Sequence, residues 1–413
     1  MRNVTKVIGL SCLVAGPLVG LPEGAFACPP TYDVEVAYFA PCGFSPPTAF
    51  GLDINDAGDV AGYVYVCGKD KAFVWLAGSP TPELLSMPPL TVSSRATGIN
   101  NTGQIVGTFV KANQPHRGFA IQDGVFTDMG TMPGGNWSET FDNNDSGQAV
   151  GFWGNVISGP GLVAMRWQTG SMQSLGRLFA EPNTQAEGIN NDGVMTGFVS
   201  QQNYAVDGRA FILNGKKVVT LPAVEGGYTS FGRAINNLGQ VAGWGHADCD
   251  PPQKDCISRR GFFWNGTQMV AMEPDPALPD TYAHALNDSG AVVGYMANGN
   301  THRGFVWEDG QLNSLTECAG LDGIVSAIPY AYGINASGQI TGMLGSTAGF
   351  GVVRLTRKDG AAGDLNCDGA VGPADMGILL GDWGSRSSSI SDLNGNGVVD
   401  AFDLGILLGG WDG

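Results

Sequence analysis

Two short acidic runs near the C-terminus offer oxygen atoms at the spacing a hard cation needs. The first is Asp364-Leu365-Asn366-Cys367-Asp368-Gly369-Ala370-Val371-Gly372-Pro373-Ala374-Asp375. The second is Asp392-Leu393-Asn394-Gly395-Asn396-Gly397-Val398-Val399-Asp400-Ala401-Phe402-Asp403. Calcium takes several oxygen ligands in a flexible shell. Positions one, three and five supply side-chain oxygens: Asp364, Asn366 and Asp368, then Asp392, Asn394 and Asn396. Position six is glycine in both loops, as the sharp turn requires, and position seven (Ala370 or Val398) offers its backbone carbonyl. Position nine is Gly372, where water would stand in, or Asp400, and Asp375 or Asp403 closes the shell. Two Ca2+ ions are therefore expected.

Each loop must be held by the residues on its C-terminal side. Met376-Gly377-Ile378-Leu379-Leu380 and Leu404-Gly405-Ile406-Leu407-Leu408 read as one short helix apiece, running out at Trp383 and Trp411. No full helix precedes either loop. Duplicated loop-plus-helix units ending in Asp rather than Glu resemble a type I dockerin, a small EF-hand-like α-helical calcium domain, over residues 364–413. The resemblance implies folding around calcium and docking onto a cohesin-like module. Pro373-Ala374 and Ala401-Phe402 fall where the family's recognition residues lie, but they are not its common hydroxyl pairs. Leu379, Leu380, Leu407 and Leu408 are expected to pack mostly against one another.

Ahead of the loops the chain repeats itself. A motif of the form Gly-Ile-Asn-Asn-Thr-Gly-Gln-Ile-Val-Gly recurs with its Asn at 55, 100, 144, 190, 236, 287 and 335, at intervals of 44 to 51 residues. A glycine follows three residues after each Asn, and a second glycine four further on, from Gly62 to Gly342. Asn caps a turn through its short amide, and glycine supplies a left-handed residue at no steric cost. The motif is thus a β-hairpin; in the third copy Asn143 replaces the usual Ile. A Phe-centred strand follows in most units, as in Ala72-Phe73-Val74-Trp75 and Gly304-Phe305-Val306-Trp307, with a looser third at Ala164-Met165-Arg166-Trp167 and the seventh at Gly349-Phe350-Gly351-Val352. A turn and a short strand ending in Leu or Met complete a unit of four strands, the size of a propeller blade.

The expected fold is an all-β seven-bladed propeller over residues 28–356, with an open solenoid as the rival. The last unit lacks a fourth strand, which Tyr32–Tyr38 would supply to close the ring. Residues 357–363 form a linker. The units resemble the HAF repeats of bacterial extracellular proteins, on His116-Arg117-Gly118-Phe119 and His302-Arg303-Gly304-Phe305. That resemblance covers roughly residues 48–355 and implies a secreted repeat protein without a shared activity.

The N-terminus supports export. Arg2 and Lys6 precede an apolar stretch, Val7 to Leu21, and Ala25-Phe26-Ala27 fits a cleavage site, making 1–27 a signal peptide. The mature chain would begin at Cys28, which leaves a lipid anchor open. No later apolar run is long enough to span a membrane. In an oxidising compartment Cys249 and Cys256 can bridge, and Cys28, Cys42 and Cys67 can supply another pair; Cys318 and Cys367 have no evident partner. A net charge of −17 excludes a nucleic-acid footprint.

No catalytic constellation stands out, neither a nucleophile elbow nor a P-loop. Asp56, Asp145, Asp192 and Asp288 sit in repeated turns and read as solvated turn residues. Arg117, Arg209, Arg260 and Arg303, with Lys71, are in register and could bond turn carbonyls or ring a channel. Trp75, Trp167, Trp264 and Trp307 read as core, with a sugar-stacking platform as the sharper alternative. The functional expectation is a secreted, non-catalytic binding or scaffold protein, tethered through a calcium-dependent dockerin–cohesin contact, with an extracellular glycan as a candidate ligand. A dockerin-bearing carbohydrate-active enzyme or lectin is the alternative.

Overall fold

The computed structural model describes residues 30–42, 46–155, 161–176, 181–201, 207–250, 255–321, 326–347, 349–358, 363–365, 370–385, 391–394 and 398–411. The signal segment 1–27, Cys28, Cys367, most of the linker, and the loop residues Asn366, Asp368 and Asn396 lie outside them.

The main body is all-β. Five four-stranded sheets follow one another along the chain, each a meander, the first of them Thr91–Ile99, Ile105–Lys111, Arg117–Gln122 and Val125–Gly130. An eight-stranded sheet joins the first unit (Thr48–Ile54 to Glu83–Leu84) to the last (Ser326–Ile334, Ile340–Ser346, Gly349–Lys358) through one parallel bridge, Thr48 to Phe350. Its remaining strand is Thr31–Ala37, antiparallel to Gly349–Lys358 with Tyr32 opposite Arg357 and Val36 opposite Val353. The N-terminal strand thus completes the last unit. Arg354 secures this seam: its guanidinium meets the Glu35 carboxylate at 3.0 Å, donates to the Trp75 carbonyl, and lies 4.1 Å over the Trp75 ring.

The repeated residues have repeated physical causes. Every motif Asn is buried, and its Nδ2 donates to the backbone carbonyl of the next motif Asn. The series runs Asn55 to Asn100, Asn144, Asn190, Asn236, Asn287 and Asn335, and Asn335 returns to Asn55 at 2.9 Å. The first glycine of each motif closes the turn with φ between +71° and +86°. The second has a different reason: a Cβ there would collide with a carbonyl oxygen of the facing strand, that of Phe50 for Gly62 and of Tyr330 for Gly342.

Opposite that second glycine stands the core residue of the third strand. Phe73, Phe119, Met165, Phe211, Phe262 and Phe305 take this place and are fully buried. In the last unit the pairing puts Val353 opposite Gly342, while Phe350 is exposed. The expected block Gly349–Val352 was therefore set three residues early. Buried clusters bridge consecutive sheets, as where Ala61 and Ala72 meet Ile99, Ile105 and Phe119. Each sheet is hydrophobic on both faces and needs two neighbours.

Cys42 and Cys67 form a disulfide. Cys249 and Cys256 face each other in register across a hairpin, with side chains outside the described set. Cys318 is buried in the short helical turn α1 (Leu315–Cys318).

The C-terminal segment consists, among described residues, of two nine-residue helices, α2 (Pro373–Gly381) and α3 (Ala401–Gly409), with their flanking loops. Leu365, Val371, Leu379, Val399 and Leu407 form their buried cluster. Leu379 and Leu407 pack as expected; Leu380 and Leu408 are instead about half exposed, at 52% and 48%. The two halves exchange backbone contacts: Val371 bridges Trp411 beyond α3, and Val399 bonds Gly384 and Ser385 beyond α2. No helix among the described residues is long and apolar enough to cross a membrane.

Candidate functional site

The C-terminal loops are shaped by their last carboxylates. Asp375 is 1% exposed and accepts from the Leu365 and Gly372 N–H groups; Asp403 is 0% exposed and accepts from Asn394 and Asp400. Each carboxylate folds its own loop back over the first turn of its helix. Asp400 also caps α3 by accepting from the Phe402 N–H. Asp364 is buried, Asp392 and Val398 are half-buried, and Ala370 and Asn394 are exposed. The donor set of carboxylate, amide and carbonyl oxygens fits a hard cation. Among the described residues no group of three or more His, Cys, Asp or Glu stands ready as a metal cluster. Pro373, Ala374, Ala401 and Phe402 all lie at the helix starts, and Ala401 and Phe402 are exposed there.

A second site lies on the axis encircled by the seven asparagines. The innermost strand of every unit carries a bulge at the residue three before its Asn. A bulge drops one residue from the ladder and re-aims its side chain. The seven residues so placed are Leu52, Thr97, Phe141, Glu187, Arg233, His284 and Tyr332, and no two are alike. They meet across unit boundaries: Arg233 pairs with buried Glu187 at 2.7 Å, and the His284 ring lies 5.0 Å from that of Tyr332. Burial pushes the His284 imidazole down to about 3, with Arg233 adding to the effect, so the ring is neutral. Burial also raises the Glu187 carboxyl, against the pull of Arg233.

Aromatic rings continue outward from His284. Phe231, Trp244, Tyr282, Tyr295, Tyr330, Tyr332, Phe50 and Tyr63 form an unbroken series of ring contacts with centroids 4.6 to 6.5 Å apart. Arg95 caps its end, 4.6 Å above Tyr63. Most of these rings are half-buried, and desolvation raises the phenols of Tyr63, Tyr282, Tyr295 and Tyr330. The arc spans four consecutive units around the ring closure. A half-buried ring offers an apolar body and a polar tip, which suits ligands with both characters.

At the other end of the axis the Asn hairpins enclose a cavity of about 220 Å³ lined by Asp53, Asp56, Asp142, Asp145 and Asp288 among asparagines and apolar residues. Asp56, Asp145 and Asp288 share its rim with Asn101, Asn191 and Asn237, whose amides donate to them. They are held in hydrogen bonds between neighbouring units, not merely solvated. Deeper, Asp53 accepts from Ile54 and Ile99, and Asp142 from Asn143 and Ile189. Burial lifts Asp53 to about 6 and Asp142 to about 7, the latter also raised by Asp53.

Sequence reasoning missed both ends of the axis, because it read the motif for its turns. A signal was present: Asp at the residue two before the Asn only in the first and third units, with Gly or Ala in the other five. Three of the repeated cations are engaged close to their own strands. Arg117 faces Asp128 at 3.8 Å, Arg209 donates to the Gly208 carbonyl, and Arg303 pairs with Glu317. Trp75, Trp167 and Trp307 are buried core residues, and Trp264 packs partly buried against another cluster. His116 binds Glu139, and His302 joins the rings of Tyr295 and Tyr330.

No protein-family profile matches the chain, and no curated protein matches it. Solved structures do resemble it. The β-propeller domain of the trilobed protease from Pyrococcus furiosus, described as having an open velcro topology, is 8% identical with a TM-score of 0.49, over 76% of this chain and 95% of that one. Oligogalacturonate lyase from Vibrio parahaemolyticus is 11% identical with a TM-score of 0.47, over 79% and 97%. An acylaminoacyl peptidase is 10% identical with a TM-score of 0.48, over 75% of this chain but only 52% of its own. The likeness concerns architecture alone: an all-β, propeller-like arrangement of repeated four-stranded sheets.

Proposed function

We propose that this chain is a secreted, non-catalytic binding protein. It is read as a seven-bladed propeller of HAF-type repeats, closed by its N-terminal strand, followed by a dockerin-like module that binds two calcium ions and docks onto a cohesin-like partner. The observation that carries the binding role is broken symmetry. Positions that build the ring repeat seven times, whereas the seven bulge residues facing the axis are all different and lead into the aromatic arc. Repetition serves folding; departure from it at one place serves recognition. Aromatic faces with phenol hydroxyls and a neutral imidazole suit the alternating apolar and hydroxylated faces of a glycan.

The tethering role draws support from the paired loops, each gathered by a buried aspartate, and from Leu380, Phe402 and Leu408 standing exposed on the helices. A glycan array probed with the secreted chain tests the first role. Tyr282→Ala with Tyr330→Ala should reduce retention at least tenfold; equal retention would remove the arc from the account. Calcium-dependent capture by a cohesin module tests the second, and capture unaffected by chelator would refute it.

An enzymatic reading has one observation in its favour: Asp53 and Asp142 are two raised carboxyls on one cavity. Each is already bonded to two backbone N–H groups, which favours a positioning role. Polysaccharide hydrolysis abolished by Asp142→Asn in a folded chain would reverse that preference.

A further inference from the structure

The junction between the last unit and the first is built unlike the others. Elsewhere the outer strand of a unit follows its neighbour in the same sheet along the chain. Here the outer strand, Thr31–Ala37, comes from the far end of the chain and continues into the first unit at Thr48. It is held to the last unit without a covalent link. It pairs with Gly349–Lys358, forms the Glu35–Arg354 and Asp33–Lys358 ion pairs at 3.0 and 3.2 Å, and buries Tyr32, Val34 and Val36.

The connector behind this strand is pinned to the first unit. Cys42 is bonded to Cys67, at the turn between Val60–Val66 and Lys69–Trp75. The Phe39 ring lies 5.0 Å from that of Phe73, against the cluster that also holds Ala37 and Val352. Without the bond, a detached strand would hang from Thr48 by the ten residues 38–47; with it, by the four residues 38–41. Effective concentration falls roughly as the −3/2 power of tether length, so the bond raises that of the strand about fourfold. Both cysteines are exposed. Exposed disulfides are open to thiolate attack and are the labile kind.

We propose that the Cys42–Cys67 bond is a redox latch on ring closure. A small dithiol opens it by exchange. Its thiolate attacks one sulfur to form a mixed disulfide, which its second thiol then resolves. Two electrons and two protons pass to the protein, leaving two cysteine thiols and the reagent's own disulfide. The freed connector lets the closing strand leave Gly349–Lys358 more often. Tyr332 and Phe50 meet across the same junction at 6.5 Å, so the latch also guards the continuity of the aromatic arc.

Hydrogen exchange of the full chain tests this, in the Cys42→Ser, Cys67→Ser double variant and in the parent before and after dithiothreitol without denaturant. Amides of Thr31–Ala37 should exchange about fourfold faster once the bond is gone. Those of Lys217–Thr220, the outer strand of the fourth unit, should keep their rate. The constraint that a disulfide places on the unfolded chain predicts no such localisation. Unchanged exchange in Thr31–Ala37 would overturn the proposal, as would equal acceleration in both strands. Resistance of the bond to the dithiol would overturn its redox character. Should the double variant fail to fold, the reduced parent decides alone.

Discussion

The β ring and the C-terminal helices solve the same problem, closing a structure on itself, with unequal means. The ring has buried clusters between its sheets and a circle of asparagine amides, each satisfied by its neighbour. The helical segment has five buried apolar side chains and two short helices. Isolated helices of that length are marginal in water, so packing alone leaves the segment near the limit of stability. The ring holds its shape by closing on itself, whereas under the proposed calcium binding the two-loop segment would draw much of its stability from the ions.

The sharpest way to break this comparison is chelation. Excess chelator should expose residues 364–413 to protease completely while the β ring keeps its strand signal in circular dichroism; a tail still resistant would remove calcium from its folding. Next in size is Leu379→Ala. Truncating this fully buried side chain should cost about 2–5 kcal/mol, enough to unfold the helical segment alone, whereas exposed Leu380→Ala should leave it folded. Differential proteolysis of the two variants measures this.

Within the ring, Asn190→Ala should cost about 2 kcal/mol in chemical denaturation. It strands the Asp192 and Val194 N–H groups and leaves the Asn236 carbonyl with the Gly239 N–H alone, and no loss would show the asparagine circle to be incidental. The smallest effect concerns His284. Its folded-state value lies below the ordinary one, so the unfolded chain takes up the proton first as pH falls through about 6.5. That contribution is intact at pH 7 and declines toward pH 5. His284→Phe should flatten the pH dependence of melting there by about 1 kcal/mol; an unchanged slope would mean the imidazole titrates alike in both states.

Most of the ring was legible because its markers act through the backbone. Asn and Gly report turn geometry wherever they recur, and the strand expected over Tyr32–Tyr38, observed at Thr31–Ala37, had no unit of its own but the last one to join. The register of the final unit was misread because Phe350 looked like the core Phe of the other units. Only the pairing of Gly342 with Val353 shows otherwise. The disulfide between Cys42 and Cys67 was one choice among several until the strands brought the two together.

The axis was the hardest part to read. Bulges leave no clear mark in sequence, and they alone turn Glu187, Arg233, His284 and Tyr332 toward one another. Those residues lie about one repeat apart along the chain, so nothing local links them. Amino-acid order by itself determined the repeat, its hairpins and the two acidic loops, because each rests on contacts within a dozen residues. Ring closure decided which side chains share the axis, since that neighbourhood exists only once the first and last units have met.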